Sequence, residues 1–360
     1  MGESVIVADL GTMYTRIGFA QGERPNFVTR TDELISGEHT GGRALTRQLS
    51  NIYSHIPSCE RLALPAVRRG RIKDFKVLET TLAKFSAFLG QPDHSFDRIF
   101  LTVPVKSSLS YLTQLAEEAL AQGFRAVAFG VQPRLGLFST GATTGVCLDL
   151  GHGLSQISCL VEHSVLSHAE NAMELAGYDV NLALKRSLSH SGVLLGPEYE
   201  EEYLRVIKES FCACAEQPDD IAQQRPEVAA VLPDGQELLL AQEKYLATER
   251  LFTVGGGIQS LTMQALASCG AELRAALLQN IVCCGGTSLL PGLGQRLGRV
   301  LSANWGEKVP FTIQTYSRSA PHASWIGASA IAASDHARPL FIGRNELEES
   351  GEQLILRNFV

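Results

Sequence analysis

The sequence predicts an α/β protein made of two related halves. The first supporting observation is an internal repeat, because a strand, an aspartate, a turn of small residues and a second strand occur near residue 5 and again near residue 145. The second is the alternation of strand-like and helix-like patterns between and after the two copies. At 360 residues the chain is also too long for one hydrophobic core, so we expect at least two.

The first half begins with an apolar strand that starts at Val5 and carries Asp9 near its end. A turn at Gly11 and Thr12 follows, and a second strand runs to Ala20. Further along, the apolar spacing predicts a strand at 98–104, a helix at 108–122, a strand at 127–131 and a helix at 133–139.

The second half repeats the hairpin at 145–160, with Asp149 near the end of its first strand. Residues 181–256 show a helical periodicity that Pro218, Pro226 and Pro233 interrupt, which predicts an inserted helical subdomain. The strand pattern then returns at 281–284, before a glycine turn, a helix at 293–303 and a last helix that starts near Trp325.

Composition and charge exclude several functional classes. A formal net charge of −7 argues against a surface built to bind nucleic acid or anionic lipid. The one basic cluster, Arg68, Arg69, Arg71 and Lys73, is interpreted as a solvated turn. The cysteines lack the two-residue gaps of zinc or redox sites, so we expect reduced thiols. We expect no secretory signal and no membrane span, and therefore a cytoplasmic chain, with the nucleus as the alternative.

Three turns of small residues follow predicted strands and suit the phosphates of a nucleotide. Glycine lets backbone N–H groups approach phosphate oxygens, and carboxylates at strand ends can orient hydrated Mg²⁺. One such turn is common in ordinary hairpins, whereas three in these contexts predict a nucleotide in the cleft between the halves. No Walker-type or dinucleotide glycine motif occurs at a strand end. The turns are Asp9, Gly11 and Thr12; Asp149, Gly151 and Gly153; and Gly285, Gly286 and Thr287.

Short motifs occur along nearly the whole chain. They are Asp9-Leu-Gly-Thr12, Arg16-Ile-Gly-Phe-Ala20, residues 139–153, Leu175-Ala-Gly-Tyr-Asp179, Leu232-Pro-Asp-Gly-Gln236, Cys284-Gly-Gly-Thr287, Pro291-Gly292 and Ser324-Trp-Ile-Gly327. These motifs resemble those of the actin superfamily, in the same order. The Trp-Ile-Gly and Leu-Pro-Asp-Gly elements favour the actin branch over sugar kinases and heat-shock-protein ATPases. The resemblance implies the actin fold, in which both lobes are ribonuclease-H-like and the nucleotide lies in the cleft between them.

The resemblance also implies a cofactor, ATP or ADP with Mg²⁺, in which Asp9 and Asp149 hold the Mg²⁺ through water. Gln132 matches the glutamine that helps to place the attacking water, so Gln132 and Asp149 are the candidate catalytic residues. The correspondence adds Met13 and Arg16 in the first phosphate loop, His152 in the second, and Lys208 and Glu209 on the adenine side. The alternative interpretation of Lys208 and Glu209 is an exposed pair on a helix, and the alternative for 285–287 is a packing turn.

Three departures from the actin pattern predict slow or absent hydrolysis. Met13 stands where actin has a glycine, His152 replaces an aspartate that serves Mg²⁺ and water, and Gln156 replaces a histidine that supports the water. Phosphoryl transfer depends on such positioning, so its loss should lower turnover. Arg16 replaces a phosphate-contacting lysine and keeps its positive charge on a larger planar head.

Two shortened segments predict poor self-assembly. The stretch between Phe27 and the Gly41-Gly42 turn is shorter than in actin, which implies a reduced form of the DNase-binding loop that contacts the next filament subunit. The segment at 253–257 is also short, where actin carries an apolar plug. A homopolymer needs a repeating heterologous interface, so we expect none here.

The predicted organisation is a first lobe at 1–140, with a short loop insertion at about 28–64, and a second lobe at 141–330, with the helical insertion at about 181–256. The C-terminal segment, 331–360, is expected to dock on the first lobe.

The leading functional prediction is a divergent actin-related protein that binds nucleotide and acts as a structural or interaction subunit of a larger cytoskeletal or chromatin-type complex. Its partners would be proteins, actin or other actin-related proteins among them, rather than nucleic acid or membrane. One alternative is an active ATPase or small-molecule kinase, for which Asp149 is the candidate catalytic aspartate. Another is a filament-forming actin.

Overall fold

The structure is a computed structural model that describes residues 4–34, 66–90, 96–195, 200–223, 228–231, 237–305, 312–315, 319–350 and 352–360. The loop insertion predicted at about 28–64 lies mostly outside these described residues. The Gly41-Gly42 turn and the motif at 232–236 lie outside them as well.

Within the described ranges, the first sheet has six strands. Their bounds are Val5–Leu10 (β1), Tyr14–Phe19 (β2), Phe27–Arg30 (β3), Arg98–Val103 (β6), Ala126–Val131 (β7) and Ile342–Gly343 (β16), with a small separate pair at Val67–Arg68 (β4) and Arg71–Ile72 (β5). The order across the sheet is β16-β7-β6-β1-β2-β3. Strands β1 and β2 form an antiparallel hairpin, and β6 and β7 then add in parallel on the β1 side. Strands β1, β6 and β7 are buried almost from end to end, as expected for strands covered on both faces.

The second sheet follows the same plan. Its hairpin, β8 and β9, is again antiparallel, and β14 and β15 again add in parallel on the side of the first strand. The repeat predicted from the sequence is therefore confirmed by the strand pairing. The bounds are Gly145–Leu150 (β8), Ser155–Val161 (β9), Ser164–Val165 (β10), Asn171–Met173 (β11), Ile281–Cys284 (β14) and Ile313–Thr315 (β15).

The helices surround and connect the two sheets. None of the described helices is both long and apolar enough to cross a bilayer. Their bounds are Lys76–Phe88 (α1), Leu109–Ala121 (α2), Gln132–Phe138 (α3), Gly177–His190 (α4), Glu200–Phe211 (α5), Asp220–Gln223 (α6), Glu243–Thr253 (α7), Gly257–Ala267 (α8), Ala271–Leu278 (α9), Leu293–Trp305 (α10), Ala323–Ala332 (α11), Arg344–Ser350 (α12) and Glu352–Arg357 (α13).

The segment predicted as a helical insertion contains a β-hairpin as well as helices. Strands Val228–Val231 (β12) and Glu237–Leu240 (β13) pair antiparallel between α6 and α7. In β13 the side chains alternate, with Leu238 and Leu240 buried and Leu239 exposed. This period of two is short, so the surrounding helical pattern and the prolines concealed it.

Two helices join the lobes at the base of the cleft. α3 leads from β7 of the first sheet to β8 of the second, and α11 packs directly on α3. The contact needs glycine, because a Cβ on Gly327 would lie 2.0 Å from the carbonyl oxygen of Leu135. α11 also reaches the first sheet, where Trp325 Nε1 donates a hydrogen bond to the carbonyl oxygen of Val7 at 2.9 Å. The α3–α11 pair, which we call the hinge, thus holds the strand ends of both sheets close together.

The last residues of the chain contact the first sheet. Strand β16 pairs with β7, and the amide of Val131 donates to the carbonyl oxygen of Val360 at 2.8 Å. Helix α13 packs on α2 and buries Ile355 completely. The amphipathic C-terminal segment therefore packs against the first sheet and against α2.

Candidate functional site

A cavity of about 330 Å³ lies between the lobes, where the hairpins of the two sheets face each other. This volume is within the range of small-molecule sites. Every site residue predicted from the sequence lines this cavity. They are Asp9, Gly11, Thr12, Met13, Arg16, Gln132, Asp149, Gly151, His152, Gly153, Lys208, Glu209, Gly285, Gly286 and Thr287.

Asp9 is buried, and both of its carboxylate oxygens are occupied. Its Oδ1 accepts hydrogen bonds from Thr102 Oγ1 at 2.5 Å and from Gln132 Nε2 at 3.0 Å. Its Oδ2 accepts from Arg16 Nη1 at 3.1 Å. Burial of a carboxylate is costly unless it is paired, so this bonding keeps Asp9 at the end of β1 in one orientation.

Asp149, at the matching position of β8, is less well compensated. Its Oδ2 accepts a hydrogen bond from Gln156 Nε2 at 3.1 Å. Burial, and secondly the negative charge of Asp9, raise the pKa of Asp149 to about 7. Two buried carboxylates that line one cavity repel each other when both are ionised, so they gain from a nearby cation.

The phosphate-loop turns approach each other closely across the cleft. A Cβ on Gly153 would lie 2.3 Å from Thr12 Oγ1, so the second loop contacts the first only because this residue is glycine. Gly285 has φ +82°, and a Cβ there would lie 2.4 Å from the carbonyl oxygen of Leu150. Gly286 faces open space instead, because no atom lies within 4 Å of its Cβ position. Backbone groups are therefore exposed to whatever occupies the cavity.

Arg16 connects the first hairpin to the start of α11. Besides Asp9, its guanidinium donates to the carbonyl oxygen of Tyr14 at 3.3 Å and, through Nε, to His322 Nδ1 at 3.1 Å. Burial, and then the positive charge of Arg16, lower the pKa of His322 to about 4. His322 is therefore a neutral acceptor at physiological pH. No sequence pattern predicts this contact, because the two residues lie 306 positions apart in the chain.

Lys208 and Glu209 differ in their exposure to solvent. Lys208 is buried, and its ammonium donates to the carbonyl oxygen of Gly177 at 3.1 Å and lies 3.4 Å from His152 Nδ1. Burial lowers the pKa of Lys208 to about 8, whereas burial and the charge of Lys208 lower that of His152 well below its ordinary value. Glu209 is about half exposed and accepts a hydrogen bond from Arg205 at 2.7 Å. The exposed-pair interpretation thus does not apply to Lys208.

Gln132 is held at both ends of its amide. Its Oε1 accepts from Gln156 Nε2 at 2.8 Å, and its Nε2 donates to Asp9. Gln156 in turn accepts from the amide of Val105 at 2.8 Å. The two glutamines therefore form a bridge between Asp9 and Asp149 along the floor of the cavity.

Arg69 corrects one sequence interpretation, because the basic cluster is not simply a solvated turn. Arg68, Arg71 and Lys73 are exposed, but Arg69 is half-buried. Its guanidinium forms two hydrogen bonds with the carboxylate of Asp179, at 2.6 and 3.1 Å, and a third with the carbonyl oxygen of Gly153. It thus joins the first lobe to the second phosphate loop.

Sequence reasoning missed several residues that line the cavity. Most are apolar or small. They are Tyr14, Gly70, Leu154, Leu289, Leu290, Pro291, Ala320, Pro321 and Ser324. Those at 289–291 follow the third glycine turn and those at 320–324 lie at or just before the start of α11, so their positions in the chain were a signal, whereas Gly70 had none. Gln156, which departs from the actin pattern, lines the cavity too.

Comparison with known proteins identifies the family. A sequence profile of the actin family matches residues 2–202 and 198–360. The chain belongs to the actin family. It is 27% identical to actin-like protein 7A of Homo sapiens over 376 residues, which cover 98% of this chain and 83% of that protein. It is 29% identical to actin-related protein 2 of Saccharomyces cerevisiae over 381 residues, which cover 96% of each.

The actin family generally binds ATP or ADP with Mg²⁺, and the cavity of this actin-family chain suits such a ligand. Two observations carry the fit: the open backbone at Gly286 and the mutual repulsion of Asp9 and Asp149. No three His, Cys, Asp or Glu side chains in the described part of the chain are grouped as a complete metal site. Asp9 and Asp149 would hold a Mg²⁺ through water beside a phosphate ligand, and such a site would not need three protein ligands.

The pKa of His322 predicts how acid affects this actin-family chain. In the folded chain His322 stays neutral down to about pH 4, whereas in the unfolded chain it binds a proton below about pH 6.5. The unfolded state then binds more protons, so stability should fall as the pH drops from about 6.5 to about 4. His322→Gln, which keeps an acceptor but cannot titrate, should weaken this loss in urea unfolding at pH 5 and 7.5. His336→Gln, at an exposed position, is the control. Equal acid sensitivity in all three chains would contradict the assignment.

Proposed function

We propose that this chain is a nucleotide-binding interaction subunit of a larger protein assembly, with slow or absent hydrolysis and little tendency to form filaments. The observation that carries the proposal is the convergence of three glycine turns and two strand-end aspartates on one cavity between the lobes. ATP or ADP with Mg²⁺ is the proposed ligand, since the family generally binds it.

The proposed ligand would span both lobes. Backbone donors at 11–13 and 151–153 suit its phosphates, and Arg16 and Lys208 supply positive charge at the cavity wall. Leu289, Leu290 and Pro291 provide apolar surface beside the third turn. Asp9 and Asp149 would orient the hydrated Mg²⁺, which neutralises the phosphate charge when bound. Contacts from two lobes to one ligand favour the closed arrangement.

Binding can be measured by calorimetry on chain stripped of nucleotide. ATP and ADP with Mg²⁺ should bind, and at 100 times the Kd either should add about 2.7 kcal/mol to the free energy of unfolding. Asp149→Asn should weaken binding about tenfold with Mg²⁺ and little in EDTA, because it removes a carboxylate from the metal's surroundings. Asp219→Asn changes an exposed residue outside the cavity and should have no effect. Absence of ATP and ADP binding at millimolar concentration would refute the proposal.

Slow hydrolysis is proposed from the partners of Gln132. Both ends of its amide already form hydrogen bonds with the protein, and Gln156 Nε2 donates its hydrogen bonds to Gln132 and Asp149. An amide cannot accept a proton from an attacking water. His152 offers an imidazole in place of a carboxylate, and burial and the charge of Lys208 lower its pKa, which makes the imidazole a weak base. The groups that place and activate water in phosphoryl transfer are therefore weak here.

Restoring the missing groups should raise turnover. The double variant His152→Asp with Gln156→His should release phosphate from Mg-ATP at least tenfold faster than the unaltered chain, which is the lower part of what one well-placed acid or base adds, since such a group typically contributes roughly 10²–10⁴-fold. The measurement is phosphate release under saturating ATP. His190→Asp, outside the cavity, should change nothing. If the unaltered chain already matches conventional actin, the proposal of weak hydrolysis fails.

One observation favours a second candidate function, an active ATPase or small-molecule kinase. A pKa of about 7 for Asp149 would suit a general base at neutral pH. However, a bound cation lowers the pKa of a neighbouring carboxylate, so this property belongs to the cavity without its metal. The phosphate-release assay, repeated with a panel of sugars as acceptors, distinguishes this candidate from the main proposal.

Weak self-assembly is proposed from the connection between α7 and α8. The two helices are separated by a single turn of three residues, Val254–Gly256, at the position where actin carries its plug. Such a turn offers little apolar surface for a repeating contact.

Pure chain should therefore form no long filaments with Mg-ATP. Negative-stain images at concentrations where conventional actin polymerises are the measurement, with actin itself as the positive control. Long, regular filaments of this chain would contradict the proposal.

The assembly itself is proposed to be cytoskeletal or of the chromatin type, with a cytoplasmic location as the first expectation and the nucleus as the second. Protein partners, actin and other actin-related proteins among them, are expected instead of nucleic acid or membrane. The tagged chain can be purified from its own cells. The proteins that copurify test whether it belongs to an assembly, and the eluted nucleotide tests whether it binds ATP or ADP.

A further inference from the structure

A cluster of charged side chains joins the two lobes at one edge of the cavity. Arg205, on α5 of the second lobe, is almost fully buried and lies at its centre. It donates to the Glu202 carboxylate at 2.5 and 3.1 Å, to Glu209 at 2.7 Å and to the hydroxyl oxygen of Tyr14 at 3.0 Å. We call Tyr14, Arg30, Glu202, Arg205 and Glu209 the Arg205 cluster.

The first lobe contributes two members of this cluster. Tyr14 begins β2, and its ring lines the cavity. Arg30, at the end of β3, donates to the same Glu202 carboxylate that Arg205 holds. Glu202 is thus shared by an arginine from each lobe, while Asp32 also accepts two hydrogen bonds from Arg30. Charge-assisted bonds of this type are stronger than neutral ones and fix geometry.

The hydrophobic cores of the two lobes do not merge at this edge. Leu204 and Ile207, on the inner face of α5, belong to the core of the second lobe. Ile17, on β2, belongs to the core of the first. The contact between α5 and the first sheet is therefore polar, and polar contacts can break and re-form without exposing a core.

We propose that Arg205 is a positioning residue that closes the lobes over this edge of the cavity and so controls how fast bound nucleotide leaves. This inference rests on the proposed function. Glu209 and Tyr14 line the cavity, and Arg205 holds both, so release of a ligand at this edge requires the Arg205 cluster to open. At interfaces between proteins, truncating a member of a buried charge pair acts mainly on the rate at which the partners separate. We expect the same of the two lobes here.

The test uses the full chain and mant-ADP with Mg²⁺ as the probe, chased with excess ADP in a stopped-flow instrument. Arg30→Met keeps the apolar stem but removes the charge that reaches Glu202, and dissociation should be about tenfold faster. Tyr14→Phe removes only the hydroxyl oxygen, and dissociation should be about threefold faster. Association rates should stay within about twofold, because encounter does not depend on the closed state. Arg30→Lys should restore part of the slow dissociation.

Lys185→Met is the matched control. Lys185 and Glu200 form an ion pair at 2.6 Å that joins α4 to α5 within the second lobe, so its loss leaves the lobes connected as before. This variant should release mant-ADP at the rate of the unaltered chain. If Arg30→Met and Tyr14→Phe release it at the control rate, Arg205 has no such role.

A second readout separates this inference from the proposed function. In nucleotide-free chain, amide hydrogen exchange at 11–14 and 151–154 should be faster in Arg30→Met than in Lys185→Met, because the lobes open more often. Failure of the unaltered chain to bind mant-ADP would defeat the proposed function, yet the exchange experiment would still decide the role of the Arg205 cluster. Equal exchange in both variants would overturn it.

Discussion

The packing of α3 against α11 is the constraint on which the rest of the molecule depends. A Cβ on Gly327 would overlap the backbone of Leu135, and a Cβ on Gly136 would lie 2.8 Å from Cys147 Sγ and 2.9 Å from Cys284 Sγ. The two glycines let one helix contact both its neighbour helix and the second sheet. Larger residues would push the sheets apart, and the strand ends that carry Asp9 and Asp149 would no longer share a cavity. The site thus depends on packing that lies beneath it.

The two lobes repeat in backbone but not in charge. In the first hairpin Asp9 pairs in register with Arg16, whereas in the second Asp149 pairs with Gln156. Asp9 therefore has a cation as its cross-strand partner, whereas the cross-strand partner of Asp149 is a neutral amide. This difference explains why burial and the charge of Asp9 raise the pKa of Asp149 to about 7. A cation bound in the cavity would act mainly on the second carboxylate.

Local patterns in the sequence were sufficient for the hairpins, the glycine turns and the residues that line the cavity, because strand ends and turns place neighbouring residues together. They could not reveal contacts between distant segments. His322 lies 306 residues from Arg16, Arg205 lies 191 residues from Tyr14, and Asp179 lies 110 residues from Arg69. Neither partner of such a pair shows a periodicity that points to the other, so the local pattern around Arg69 predicts only a solvated turn. The β12–β13 hairpin was missed for another reason, since its strands are short and lie among helices and prolines.

The division of contacts between the lobes shows what a ligand in the cleft could change. Apolar packing joins the lobes at the α3–α11 hinge, whereas the Arg205 cluster and the Arg69–Asp179 pair join them by polar bonds at the edges of the cavity. A ligand shifts such an equilibrium only by its difference in affinity for the open and closed forms. Because the cavity is lined from both sides, its ligand would contact the closed form more extensively. In a chain whose catalytic groups are weak, closing the lobes is then the main use of the binding free energy.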